Sequence, residues 1–223
     1  MARRNSANSD EVVVIGLGRF GKSLALELVA DDTEVLGIDS DAKVVQSLAG
    51  RLTHVVEADS TNEDAMRQLA VHEFDRAVIG VGSDLEASIL TASVVLTLGV
   101  PNVWAKAISD AHARILTQVG VHHVVRPEHD MGKRVAHLVR GRLLDYIEFD
   151  DGYAIVKTRP PARIHDTPLG QTHIRSQHGV TIVGVKRAGQ DFTHATAETV
   201  VKDGDLIIVS GPRDKVERFS EIN

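Results

Sequence analysis

The sequence predicts an α/β fold: a parallel sheet covered by helices on both faces, followed by a smaller α+β domain. Three observations carry that prediction. Across 11–141, short and nearly continuous apolar runs alternate with amphipathic segments of helical period, the pattern of strands buried on both sides. The first apolar run, V-V-V-I, leads straight into G-L-G-R-F-G at 16–21, a glycine turn that acquires meaning only between a strand and a helix. From Leu144 onward the pattern shifts to short alternating strands, which read as a second unit.

The elements follow in order. E-V-V-V-I-G is the first strand, and a helix runs from about Gly18 to Val29. T-E-V-L-G-I-D is the second strand and D-A-K-V-V-Q-S-L-A the second helix. T-H-V-V-E-A-D precedes S-T-N-E-D-A-M-R-Q-L-A, whose cap residues and acidic first turn mark a helix start. R-A-V-I-G-V is the fourth strand, and L-E-A-S-I-L-T-A-S-V-V-L-T-L its helix. N-V-W-A-K-A, S-D-A-H-A-R-I-L-T-Q-V and H-H-V-V-R supply a fifth strand, a helix and a sixth strand. M-G-K-R-V-A-H-L-V-R-G-R-L is a last helix with an apolar face of Met131, Val135, Leu138, Val139 and Leu143. That face either seals the sheet or packs on a second subunit. In the second unit, D-Y-I-E-F and Y-A-I-V-K-T are strands, R-P-P-A is a turn, and P-L-G-Q-T-H-I-R is helix-like. G-V-T-I-V-G-V-K-R and D-L-I-I-V-S-G are further strands, and P-R-D-K-V-E-R-F is a helix with Pro212 near its start. The expected domains are 10–142 and 143–223.

Composition narrows the function classes. At 223 residues the chain is long enough for a real core. It contains no cysteine, which removes disulfides, iron–sulfur clusters and thiolate zinc sites. A net charge of -6 gives no reason to expect nucleic acid. The opening M-A-R-R-N-S-A-N-S-D has no apolar stretch and reads as a short disordered arm, not a signal peptide. Residues 87–105 carry no charge and approach spanning length, but Pro101 and Asn102 interrupt them. A buried helix, a turn and a buried strand fit that stretch better than a membrane span.

The glycine turn predicts a nucleotide site. Gly16 permits the tight turn, Gly18 leaves room for a pyrophosphate, and Gly21 allows close packing of the helix that follows. The first amides of that helix then meet phosphate. Asp39, at the end of the second strand, can accept both ribose hydroxyls and would repel a 2′-phosphate, which disfavours NADP. The other reading is a vestigial fold with an empty crevice. Asp59 and Ser60 end the third strand, and Gly80, Val81 and Gly82 the fourth, where such sheets open their crevice. Asp59 either contacts the adenosine or caps the third helix. Lys106 either meets a phosphate or faces solvent. Glu128 either touches a ribose, a cation or a neighbouring loop, or is solvated; Asp130 beside it is no better specified.

Catalytic patterns are missing from the sequence. The eleven histidines are scattered, and adjacent His122 and His123 point to opposite sides of a strand. No H-E-x-x-H, G-x-S-x-G or G-x-x-x-x-G-K-[ST] occurs.

Several motifs together carry a family likeness: I-G-L-G-R-F-G at 15–21, G-I-D at 37–39, E-A-D-S-T at 57–61, N-V-W-A-K-A at 102–107 and R-P-E-H-D-M-G at 126–132. With D-T-P-L-G-Q-T-H-I-R-S-Q-H-G-V-T-I-V-G-V in the second unit, the chain resembles the KtrA/TrkA family of RCK (KTN) regulatory subunits of bacterial potassium uptake systems. The likeness runs from about Glu11 to the end. It implies a Rossmann-like domain that binds ATP or ADP, with NAD(H) as the alternative, and a small α+β RCK C-terminal domain. It implies a cytosolic protein, peripheral on the inner face of the membrane and without enzymatic turnover. Homodimers would assemble into an octameric ring on an integral-membrane potassium-translocating subunit.

Carried over by resemblance, Arg19 reaches nucleotide phosphates, with Phe20 beside it. Asp39 and Ser40 take the ribose, and Asp59, Ser60, Val81 and Gly82 line the crevice. Lys106 and Glu128 complete the set, with magnesium or another cation near Glu128. Relatives bind cyclic di-AMP between paired C-terminal domains, a role that resemblance would place on Arg175 and the apolar Ile164.

Two other function classes compete with a gating subunit. A small NAD-dependent oxidoreductase would need an acid–base group facing the nicotinamide, and the sequence places none. A nucleotide-responsive DNA-binding repressor is opposed by the acidic net charge and by the lack of a helix-turn-helix before the glycine motif.

Overall fold

The computed structural model describes residues 11–140, 143–149 and 151–222. The expected arm at 1–10, and positions 141–142 of the expected last helix, lie outside the described residues. The first unit runs β1 Glu11–Ile15, α1 Arg19–Ala30, β2 Glu34–Asp39, α2 Ala42–Leu48, β3 His54–Glu57, α3 Glu63–Gln68 and β4 Arg76–Ile79. It continues with α4 Leu85–Thr97, β5 Asn102–Lys106, α5 Asp110–Val119, β6 His123–Val125 and α6 Pro127–Arg140. All six strands pair in parallel in the order β3-β2-β1-β4-β5-β6. The chain grows outward from β1 to β3, then returns to β4 on the other side of β1. That reversal opens a crevice at the carboxyl ends of β1 and β4.

The apolar strands are buried as their sequence demands. Val12, Val13, Val14 and Ile15 of β1 are all within 3% of full burial. Alternate residues serve opposite layers: Val13 and Ile15 join one cluster with Ala92 and Val95 of α4, while Val12 and Val14 join another with Ala25 of α1. Local chemistry sets the helix starts. Asp84 accepts from the Ala87 amide at 3.0 Å, Asn62 from Ala65 at 3.1 Å, and Ser109 from His112 at 3.1 Å. Gly120, at φ 107°, ends α5. The uncharged stretch at 87–105 is α4, a turn and β5, and no described helix is long and apolar enough to cross a membrane.

The second unit contains β7 Asp145–Glu148, β8 Tyr153–Thr158, α7 Ile174–His178, β9 Thr181–Lys186, β10 Phe192–His194, β11 Leu206–Pro212 and α8 Arg213–Ser220. Its sheet is antiparallel, in the order β10-β9-β11-β8-β7. Val156, Ile182, Ile207 and Val209 from the strands pack with Val216 and Phe219 of α8 in a core of their own.

Three elements differ from expectation. β10 lies outside the expected strands: all three of its residues are exposed, so burial leaves no alternation in it. The helix-like segment at 168–175 splits into a 3₁₀ turn, Leu169–Gln171, and α7, because His173 adopts φ 54° between them. The last helix begins at Pro127, where a missing amide costs nothing, and its described part ends at Arg140.

The compact units divide between Glu128 and His129, earlier than the change of pattern at 142/143. The reason lies in the contacts of α6. His137 stacks on Tyr146 at 4.1 Å, Arg134 pairs with Asp145, and Leu138 packs on the second unit's core. Leu143 is also in that core, whereas Met131, Val135 and Val139 remain exposed. The five residues therefore do not act as one face.

Candidate nucleotide site

The phosphate turn is built around one carbonyl oxygen. Gly16 sits at φ 85°, a conformation that favours glycine. A Cβ on Gly21 would lie 1.9 Å from the Gly16 oxygen, and one on Gly80 2.7 Å from the same atom. Gly18 is the opposite case: a Cβ there meets nothing within 4 Å. Gly18 opens α1 without a side-chain cap, and the first turn of α1 has no acid. Free amides, a positive helix end and open space coincide there, which is what an anionic ligand requires.

Asp39 locks this turn to β2. Its Oδ2 accepts the Leu17 amide at 2.6 Å and its Oδ1 the Asp41 amide at 2.9 Å. A carboxylate offers about four lone-pair sites, so acceptor capacity remains for a ribose. Gly16, Gly18, Asp39, Ser40, Asp59, Ser60, Val81 and Gly82 line one cavity of about 250 Å³. Eight of the residues expected from sequence are thus brought together.

Asp59 does not cap α3; Asn62 does. Asp59 Oδ1 instead accepts the Thr61 amide at 2.9 Å and its hydroxyl at 2.7 Å, and these bonds lower the carboxyl's pKa. Ser60 Oγ lies 2.7 Å from Thr91 Oγ1, tying the loop after β3 to α4. Thr61, Ser83, Asp84 and Ala87 also line the cavity, and sequence reasoning did not select them as ligand residues. The signal for Thr61, Ser83 and Asp84 is present in E-A-D-S-T and G-S-D, polar residues at strand ends, whereas Ala87 lies within α4 and carries none.

Arg19, Phe20, Lys106 and Glu128 form a second group beside the crevice. Lys106 is not solvated: its side chain is 12% exposed, and its Nζ donates to Glu128 Oε1 at 2.6 Å. The ammonium lies 5.9 Å from the centroid of the Phe20 ring. The hydrogen bond from Lys106 lowers the Glu128 pKa, with smaller contributions from the charges of Lys106 and Arg19. Arg19 itself is exposed. As a resident cation site these residues do not fit. Glu128 supplies one carboxylate, already neutralised by Lys106, and no cluster of three metal-ligating side chains occurs among the described residues.

Arg175 and Ile164 differ in their surroundings. Arg175 lines a cavity of about 390 Å³ with Ile174, Val180, Ile182 and Thr196. Ile164 is 2% exposed, within the second core. His122 accepts the Val103 amide at 3.0 Å, and His123 stacks on Trp104 at 4.1 Å.

Comparison with known proteins adds the lineage. Residues 12–127 match the TrkA-N domain and residues 153–223 the TrkA-C domain. Ktr system potassium uptake protein C of Bacillus subtilis (strain 168) is 35% identical over 212 residues, spanning 95% of this chain and 96% of that one. The chain belongs to the Ktr/TrkA family of potassium uptake proteins. Ktr system potassium uptake protein A of Vibrio alginolyticus is 33% identical over 207 residues, 92% of this chain and 94% of that one. Among solved structures, the GsuK channel bound to NAD superposes with a TM-score of 0.63 at 17% identity, over 96% of this chain. This chain spans 39% of the GsuK chain, and at that identity the likeness concerns the fold. Within the Ktr/TrkA family the phosphate turn, Asp39 and Lys106 belong to the TrkA-N part, and Arg175 and Ile164 to the TrkA-C part.

Proposed function

We propose that the chain is a regulatory subunit of a potassium uptake system, which gates a membrane-embedded potassium-translocating partner according to the adenine nucleotide it holds. The observation that carries this reading is the open phosphate turn at Gly18, set in a chain related to Ktr proteins along nearly its whole length. The protein works from the cytosolic face, by binding and not by turnover. ATP and ADP are the leading ligands. NAD(H) is the alternative, supported by a fold relative solved with NAD. Asp39 holds the ribose, and the amides of α1 together with Arg19 hold phosphate. Dimers assembling into an octameric ring would let Arg19 reach a phosphate in a neighbouring copy. Arg175 and the apolar walls around it are a second candidate site, for cyclic di-AMP.

A ligand shifts a two-state assembly only by binding the states differently. ATP and ADP differ in one terminal phosphate, so ATP is expected to favour the conducting assembly and ADP to release it. Potassium flux through vesicles holding the membrane partner and this subunit, with either nucleotide at saturation, tests this. Equal flux with both would overturn it.

A further inference from the structure

The wall that α4 lends to the crevice deepens that reading and rests on it. With phosphate at Gly18 and ribose at Asp39, the base is carried past β2 toward the loop after β3, whose Asp59, Ser60 and Thr61 line the cavity. Two side-chain contacts fix that loop. Asp59 is held from within it, by Thr61. Ser60 is held from outside: its Oγ lies 2.7 Å from Oγ1 of Thr91, 31 positions along the chain on α4.

The two hydroxyls are unequally placed. Thr91 is 0% exposed, whereas Ser60 is half-buried and lines the cavity. A helical threonine can return its proton to the carbonyl four residues back, as Thr117 does to Ala113 at 2.9 Å. Thr91 is bonded to Ser60 instead. A buried hydroxyl proton without an acceptor is costly; one that faces an open crevice is not. The balance makes Thr91 the donor and Ser60 the acceptor, which leaves the Ser60 proton free on the crevice side.

We propose that Thr91 is a positioning residue that presents Ser60 as a hydrogen-bond donor to the adenosine end of the ligand. Thr91 touches no ligand. It fixes where the Ser60 hydroxyl sits and which role it offers, and the group that suits it is an acceptor on the adenosine. Ligands that share this end share the contact, whatever phosphates they carry.

The test is calorimetric binding of ATP and AMP to the full chain and to Ser60→Ala, Thr91→Val, Thr91→Ser and the Ser60→Ala, Thr91→Val double variant, with melting temperatures alongside. Ser60→Ala and Thr91→Val are each expected to weaken ATP and AMP by the same factor, roughly two- to tenfold, the range of one hydrogen bond. Thr91→Ser keeps the hydroxyl and binds like the parent. The double variant loses no more than Ser60→Ala alone, because both act through one contact. Ser60→Ala also melts lower than the parent, and adding Thr91→Val recovers part of that loss by removing the stranded hydroxyl. Unchanged affinity in Thr91→Val or in Ser60→Ala would overturn the proposal. So would a Thr91→Val loss that persists without the Ser60 hydroxyl, or that Thr91→Ser fails to repair, since α4 packing would then be the cause. A loss for ATP and not AMP would move the effect to the phosphate end and overturn it too. Ser60→Ala melting like the parent would overturn the donor assignment. Those results leave the crevice standing. If the unsubstituted chain binds neither ATP nor AMP, the nucleotide reading itself falls, and the role of Thr91 with it.

Discussion

At the scale of single residues, the three motif glycines have separate duties. Gly16 and Gly21 are needed by the fold, since a Cβ on Gly21 would overlap the Gly16 oxygen at 1.9 Å. Gly18 is the glycine we propose the ligand requires: it lines the crevice, and among the described residues a Cβ there would meet nothing within 4 Å. Gly21→Ala is therefore expected to lower thermal stability by ~2 kcal/mol or more, as backbone must shift. Gly18→Ala should melt within a few degrees of the parent yet lose about tenfold or more in ATP affinity. Paired melting and calorimetry check both, and a Gly18→Ala protein that binds ATP normally would contradict the assignment. The motif and Asp39 were legible in sequence because their spacing has one mechanical explanation. The Lys106–Glu128 contact was not, since it joins residues 22 positions apart and no periodicity encodes which loops meet. The bond from Leu17 to Asp39 was hidden for the same reason.

At the scale of elements, α6 is the most informative. Met131, Val135 and Val139 follow one another at intervals of four along its exposed side, while Leu138 packs on the second core. The expected single apolar face is thus two faces, one packed on the second core and one exposed, and we propose that the exposed one associates copies of the chain. Val135→Lys together with Val139→Lys is expected to reduce the solution mass of the assembly and leave the far-ultraviolet spectrum unchanged. A mass equal to the parent's would remove α6 from the interface. β1 and β2 could be read from sequence because burial on both faces makes each a nearly continuous apolar run. In the second unit β10 escaped, being exposed throughout. The split around His173 escaped too, because a left-handed residue other than glycine gives no compositional warning.

At the scale of the whole molecule, each unit contains a histidine whose pKa burial lowers. His112 in the first and His178 in the second both have pKa values pushed below the ordinary 6.5, by burial and, for His178, also by the nearby Arg163 charge. For a base with a depressed folded value, the unfolded chain takes up protons first as pH falls. Stability is whole above the ordinary value and declines through the window beneath it. Glu128 and Asp145, whose carboxyl pKa values are held down by Lys106 and Arg134, withdraw their contributions only at lower pH, below the ordinary 4.5 and 3.8. Acid unfolding is therefore expected to begin near pH 6, before the carboxylates titrate. Melting temperatures at about pH 8 and about pH 5 measure it, and His178→Phe should flatten part of the decline. A melting temperature that is constant across that range would show that these histidines do not report folding.

The crowding of Gly21 and Gly80 around a single carbonyl oxygen also bears on how such chains change over generations. Neither residue can acquire a side chain first, because each is blocked by an atom that every amino acid possesses. A lineage that ceased to bind nucleotide would keep both positions unchanged for mechanical reasons alone. Gly18 has no such restraint and would drift. In a set of related chains, the residue at position 18 is thus the marker of retained binding, and the glycines beside it are silent on the matter.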